Sequence, residues 1–171
     1  PSLENDLNVY RKEVEKNFAV IFEKIVAFLR EGDYTWDGKE IPETADLIEK
    51  GKGLALRNVE NRLLRHEDQY YAYFKMREKQ FEIIERVLPT FTMITANVEQ
   101  AHLIAQFIEE LKDNIHSGNT AKKFLKKLDD IKKEMERAPL PKTRKEFETR
   151  ARLYHFLYEM EQYLIIKSQF K

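Results

Sequence analysis

The sequence has no cysteine, only five glycines and five prolines among 171 residues, one tryptophan, and no excess of either charge. Each scarcity removes a class of protein. Without cysteine there is no disulfide framework and no thiolate metal site, and a reducing compartment is compatible with the chain. So few Gly and Pro residues exclude collagen-like and turn-dense sandwich architectures, while a hydrophobic fraction of 42% excludes a disordered chain. No stretch of about 18 uncharged apolar residues exists to span a membrane within this segment. Thirty basic and thirty acidic side chains cancel, which removes a whole-protein case for nucleic-acid binding, since that depends on an excess positive field. Gly-rich phosphate loops, a Gly-x-Ser-x-Gly elbow and a His-Glu-x-x-His pair are all missing. The expectation is a non-enzymatic chain that needs no cofactor and no metal.

What is present reads as helix. A charged fraction of 35%, rich in Glu, Lys, Leu and Arg, belongs to an all-α bundle of long antiparallel helices, and the length suits a single domain with a real core. Leu3, Leu7, Tyr10, Val14, Phe18, Ile21, Ile25 and Phe28 recur at steps of three and four, so the first helix starts after Ser2 as N-cap and closes at Gly32. Asp33 to Pro42 lacks a period and reads as a loop. From Thr44 a second stripe runs through Leu47, Leu54, Val59 and Leu63, although Gly51 and Gly53 each weaken a helix by up to about 1 kcal/mol. Asp68 is placed to cap a third helix over Tyr70, Tyr73, Phe74, Phe81, Ile84 and Leu88.

Pro89 lacks an N–H, and with no turn cluster between Thr90 and Asn97 the expectation is a kink in one long helix carrying Phe91, Ile94, Val98, Ala105, Ile108 and Ile115. Gly118 then stops that helix. A basic helix follows from Asn119 or Thr120, with Phe124, Leu125, Leu128, Ile131 and Met135 on one side. Pro139 and Pro141 end it, and Thr143 with Glu146 forms a capping box that opens the last helix, which runs nearly to Phe170. This makes about five helical segments.

Three groups of residues carry possible chemistry. Glu99 and His102 have the Glu-x-x-His spacing of di-iron bundles, but the second such pair on another helix is missing, so a partly buried, hydrogen-bonded histidine is expected instead. Lys122, Lys123, Lys126, Lys127, Lys132 and Lys133 form a basic helical surface, within a stretch from Asn119 to Lys145 that has ten bases against four acids. Such a face is solvated, turned to an anionic lipid surface, or met by nucleic acid or another acidic partner, and Asp129, Asp130, Glu134 and Glu136 dilute its field, which disfavours the last. Between Glu31 and Lys50 the balance reverses, with seven acids against two bases. Lastly, Tyr70, Tyr71, Tyr73, Phe74 and Arg77 put aromatic faces and a guanidinium within one turn of each other, a grip suited to an aromatic carboxylate, although core packing explains most of it.

Longer motifs carry a family likeness. His116 to Thr120, Ala138 to Glu148 with its Pro-Leu-Pro-Lys-Thr-Arg core, and Glu161 to Lys167 resemble the C-terminal domain of bacterial putative aromatic acid exporters. Glu60 to Leu63, Tyr70 to Arg77 and Phe81 to Pro89 fit the same pattern, so the likeness spans most of the chain. The resemblance implies a helical domain on the cytoplasmic face of the bacterial cell membrane, attached to its own N-terminal transmembrane domain. A start at Pro1-Ser2 without Met agrees with a piece of a longer protein. Two roles then compete. One is assembly or regulation of the transporter, with possible homo-oligomers and the lysine helix facing the anionic leaflet. The other is ligand sensing, with Tyr73 and Arg77 holding the aromatic acid and His102 as a neighbour.

Overall fold

A computed structural model describes residues 2–59, 66–116, 118 and 120–170. The described residues form an all-α bundle of six helices: α1 Ser2–Glu31, α2 Glu40–Val59, α3 His66–Val87, α4 Glu99–Lys112, α5 Ala121–Arg137 and α6 Arg144–Gln169. Helix α1 packs between α2 and α4, α3 lies on α2 and α6, and α5 closes the far side against α6 and α4. Among the described residues no helix is long and apolar enough to cross a membrane.

The stripe of α1 is buried as its spacing predicts, with Leu7, Val14, Phe18 and Ile21 fully enclosed. Aromatic rings meet around Phe18, which stacks on Phe81 at 6.2 Å while Phe22 stands edge-on to Tyr163 at 5.5 Å. Gly32 closes α1 in the left-handed conformation, φ +66°, with its N–H on the Phe28 carbonyl. The capping box of α6 also forms: the Glu146 N–H donates to Thr143 Oγ1 at 3.0 Å, and the Glu146 carboxylate accepts from the Lys142 N–H.

Several expectations are corrected. Helix α2 begins at Glu40, not Thr44, because Pro42 lies in the first turn, where no N–H is needed, and the Trp36 indole donates to Glu40 at 2.7 Å. Its buried line is Thr44, Ile48, Gly51 and Ala55, with Leu47 and Leu54 only flanking it. Small residues let α2 and α3 approach closely, and a pattern built on large apolar residues overlooks them. Leu63 and the side chain of Val59 lie outside the described residues, and α3 starts at His66, before Asp68.

The largest departure is at Pro89. The chain does not kink there but breaks, passing from α3 into a 3₁₀ turn over Leu88–Met93 and an extended stretch before α4. Threonines take the role a Gly or Asn turn would have had: Thr90 Oγ1 donates to the Val87 carbonyl at 2.6 Å and Thr92 Oγ1 to that of Pro89 at 2.8 Å. Phe91 anchors the break in the core, edge-on to Phe28 and Phe156. The Ala96 N–H is taken by Thr149 of α6. This break raises the count from five segments to six. Helix α4 also ends early, at Lys112, with a turn over Asp113 to His116, so Gly118 is not its terminator and lacks the positive φ of such a cap.

Candidate functional site

Tyr73, Arg77 and Gln80 stand on the inward face of α3 at steps of four and three, which stacks them on adjacent turns. Arg77 is 1% exposed and is the largest fully buried side chain among the described residues. Its guanidinium donates to Tyr73 Oη at 2.9 Å, Gln80 Oε1 at 2.9 Å and the Ile115 carbonyl at 3.1 Å, and it meets Glu15 of α1 at 3.4 Å. Tyr73 in turn donates its hydroxyl proton to Glu15 at 2.7 Å, and Gln80 donates to the Tyr163 carbonyl. Arg77 also lies over the rings of Phe18 and Tyr73 at 5.3 and 5.1 Å. The carboxylate it grips is therefore internal. Burial holds the Tyr73 phenol well above its ordinary pKa, with the Arg77 charge opposing, and pushes that of Tyr163 up to about 12 for the same reasons. Both phenols keep their protons at physiological pH.

Above this network, between the N-terminal half of α1, the start of α3 and the end of α6, opens a cleft of about 320 Å³. Tyr70, Tyr73 and Phe170 supply its aromatic walls, Arg11, Glu15 and Lys167 its charges, and Glu4 and His116 stand at the rim. Phe170 is edge-on to Tyr73 at 5.9 Å, and Lys167 Nζ lies 5.6 Å from the Phe170 centroid. Arg11 is held by Asn8 at 2.7 Å and reaches Glu15 at 3.9 Å. Among the described residues no carboxylate comes within ion-pair distance of Lys167. Burial and the Arg77 charge push its amine below the ordinary lysine range, with Glu15 opposing.

The sequence-predicted residues divide accordingly. Tyr73 and Arg77 are brought together, Tyr73 on the cleft wall and Arg77 sealed beneath it. His102 is not brought to them: it is exposed on α4, in place of the partly buried histidine expected, and shares no hydrogen bond, ion pair or ring contact with either. Among the described residues no group of three His, Cys, Asp or Glu is arranged to hold a metal. Glu15, Gln80, Lys167 and Phe170 do not stand out in the sequence. A buried arginine needs an anion, but nothing local tells which of thirty carboxylates, 62 residues away on another helix, provides it.

The lysine face of α5 is more neutralised than its composition suggests. Lys126 pairs with Asp130 at 2.8 Å, Lys133 with Asp129 at 3.1 Å and Lys132 with Glu161 at 3.0 Å, and Lys127 pairs with Glu110. Lys122 and Lys123 remain exposed, with no acidic partner among the described residues.

The comparisons agree with this architecture. The fold is similar to that of a crystal structure of a putative membrane protein from Clostridium difficile 630, with a TM-score of 0.80 and 21% identity, covering 94% of this chain and 96% of that one. Over all 171 residues the chain is 59% identical to the uncharacterized protein YqjA of Bacillus subtilis (strain 168), and it spans 53% of that relative's length. Residues 4–168 match the putative aromatic acid exporter C-terminal domain, and that is the family to which this chain belongs.

Proposed function

We propose that the chain is the cytoplasmic domain of an integral membrane exporter of aromatic acids, non-enzymatic, and acting in assembly or regulation next to an N-terminal transmembrane domain. The observation that carries this reading is the family match over residues 4–168. It is supported by the Bacillus subtilis relative, nearly half of which lies outside the shared segment. On α5, Lys122 and Lys123 are the lysines free to meet an anionic leaflet, and at about 1 kcal/mol per basic residue near such a surface they contribute roughly 2 kcal/mol. That is enough to orient a tethered domain and too little to hold a free one. Assembly into homo-oligomers is supported by Phe147, Tyr154 and Tyr158, exposed along α6 at seven- and four-residue steps, with Leu140 nearby.

Protease accessibility of the protein from the whole open reading frame tests the topology. Trypsin is expected to digest this domain in inside-out vesicles and to spare it in right-side-out vesicles. Digestion from the outer face alone overturns the cytoplasmic placement. A second reading, sensing of an aromatic acid, is favoured by the cleft between Tyr70, Phe170 and Lys167.

A further inference from the structure

We propose that the cleft between α1, α3 and α6 binds a single-ring aromatic monocarboxylate, its carboxylate on Lys167 and its ring against Tyr70 and Phe170. This rests on the sensing reading above and names its site, while the membrane topology stands or falls by a separate measurement.

Size selects this cleft. Its volume of about 320 Å³ lies at the lower end of small-molecule sites, which run from about 300 to 1,000 Å³, and suits one ring with a short substituent. The more aromatic pocket beside Trp36 holds only about 160 Å³. A larger hollow of about 480 Å³ beside Pro139 carries three carboxylates, Glu99, Glu134 and Glu146, against Arg137 and Arg150, and Arg150 already donates to Glu146 and the Pro139 carbonyl, which leaves a poorer surrounding for an anion and no aromatic ring.

Charge selects the ligand class. Glu15 is already engaged by Tyr73, Arg77 and Arg11, and Glu4, the other carboxylate of the lining, forms no ion pair with Lys167, so among the described residues the amine has no counter-ion. The Lys167 amine is half-buried beside Phe170, and a half-buried cation without a counter-ion is held at a cost that a ligand carboxylate removes. Tyr70 and Phe170, both half-buried and packed at the edge of the core, offer faces for a ring. The anchor expected from the sequence thus moves from Arg77, whose donors are engaged internally, to Lys167, one turn from the end of α6.

The other role open to Lys167 is structural, as a cation completing the C-terminal end of α6. The two roles give opposite stability effects. Because burial depresses its folded-state pKa below the unfolded value, protonated Lys167 opposes folding at neutral pH, and that penalty fades as pH rises through the folded pKa. Lys167→Met is therefore expected to raise the melting temperature, whereas a helix-completing cation would lower it on removal.

Calorimetric titration of the 171-residue chain with benzoate provides the test, with acetate and benzamide as the ligands lacking the ring or the charge. Benzoate is expected to bind at millimolar concentration or better and the two controls to bind at least roughly tenfold more weakly, a difference of about 1.4 kcal/mol. Lys167→Met should weaken benzoate by a similar factor, Lys167→Arg should retain it, and Tyr70→Ala should weaken it with the fold intact by circular dichroism. Lys122→Met is expected to leave it unchanged. No heat with millimolar benzoate overturns the proposal, as does equal response to acetate, or undiminished binding by a folded Lys167→Met protein.

Discussion

Arg77→Ala is expected to destabilise the chain by about 3–5 kcal/mol, the usual effect of removing one partner from a buried ion pair. For a chain of this length that corresponds to a fall in melting temperature of roughly 6–20 °C. The magnitude follows from what is left behind. Glu15, only 12% exposed, loses the guanidinium opposite it, and the hydroxyl of Tyr73, the amide of Gln80 and the carbonyl of Ile115 lose a partner inside the bundle. The rings of Phe18 and Tyr73 also lose the cation above them. Urea unfolding followed by circular dichroism measures the loss. The double variant Arg77→Met with Glu15→Leu is expected to recover much of it, since two apolar groups in place of a buried pair are often neutral or better. A loss below about 1 kcal/mol in Arg77→Ala would contradict the network as described.

Gly51→Ala is the second large effect, a destabilisation of about 1–3 kcal/mol in spite of the better helix propensity of alanine. A Cβ at Gly51 would fall 2.5 Å from the Phe74 ring. Phe74 is fully buried and edge-on to Tyr73, so its ring has no free space to yield into, and α2 and α3 must separate instead. Gly53, two residues on, provides the control. It faces solvent, a Cβ there would meet nothing within 4 Å, and Gly53→Ala should stabilise by up to about 1 kcal/mol. Paired denaturation curves of the two variants check the opposite signs. Equal effects would mean that the α2–α3 contact is looser than described.

These two sites also show where the sequence is legible and where it is not. Long periodic stripes with ordinary terminators read well: α1 to Gly32, α5 to the Pro139 boundary, and α6 from the Thr143 cap are found where spacing and capping chemistry place them. In α2 the contact line is made of Thr44, Gly51 and Ala55 as much as of Ile48, and small residues give no hydropathy signal for a close helix crossing. The break after α3 escapes a sequence reading for a related reason. Pro89 alone permits either a kink or a stop, and the choice is made by tertiary partners, Phe91 in the core and Thr149 capturing the Ala96 N–H from 53 residues away.

The candidate site divides in the same way. Tyr73 and Arg77 are visible as a pair because four-residue spacing on one helix is a local fact. Lys167 and Phe170 lie at the end of a different helix, where a basic residue in the last turn looks like ordinary helix chemistry. Their meeting with Tyr70 depends on how α6 lies on α3, which no single-segment pattern encodes. The lysine face is the converse case. Its composition is plain in the sequence, yet the ion pairs from Lys127 to Glu110 of α4 and from Lys132 to Glu161 of α6 exist only after packing, and together with the pairs of Lys126 and Lys133 within α5 they reduce the face to Lys122 and Lys123.

The most direct measurement is fractionation of the protein expressed from the whole open reading frame, with membranes washed in alkaline carbonate and high salt. An exporter domain attached to a transmembrane half remains in the washed membrane pellet, detected by an antibody against this chain. Recovery in the soluble fraction would contradict attachment to an integral membrane exporter and leave the aromatic-acid cleft to be judged by calorimetry alone.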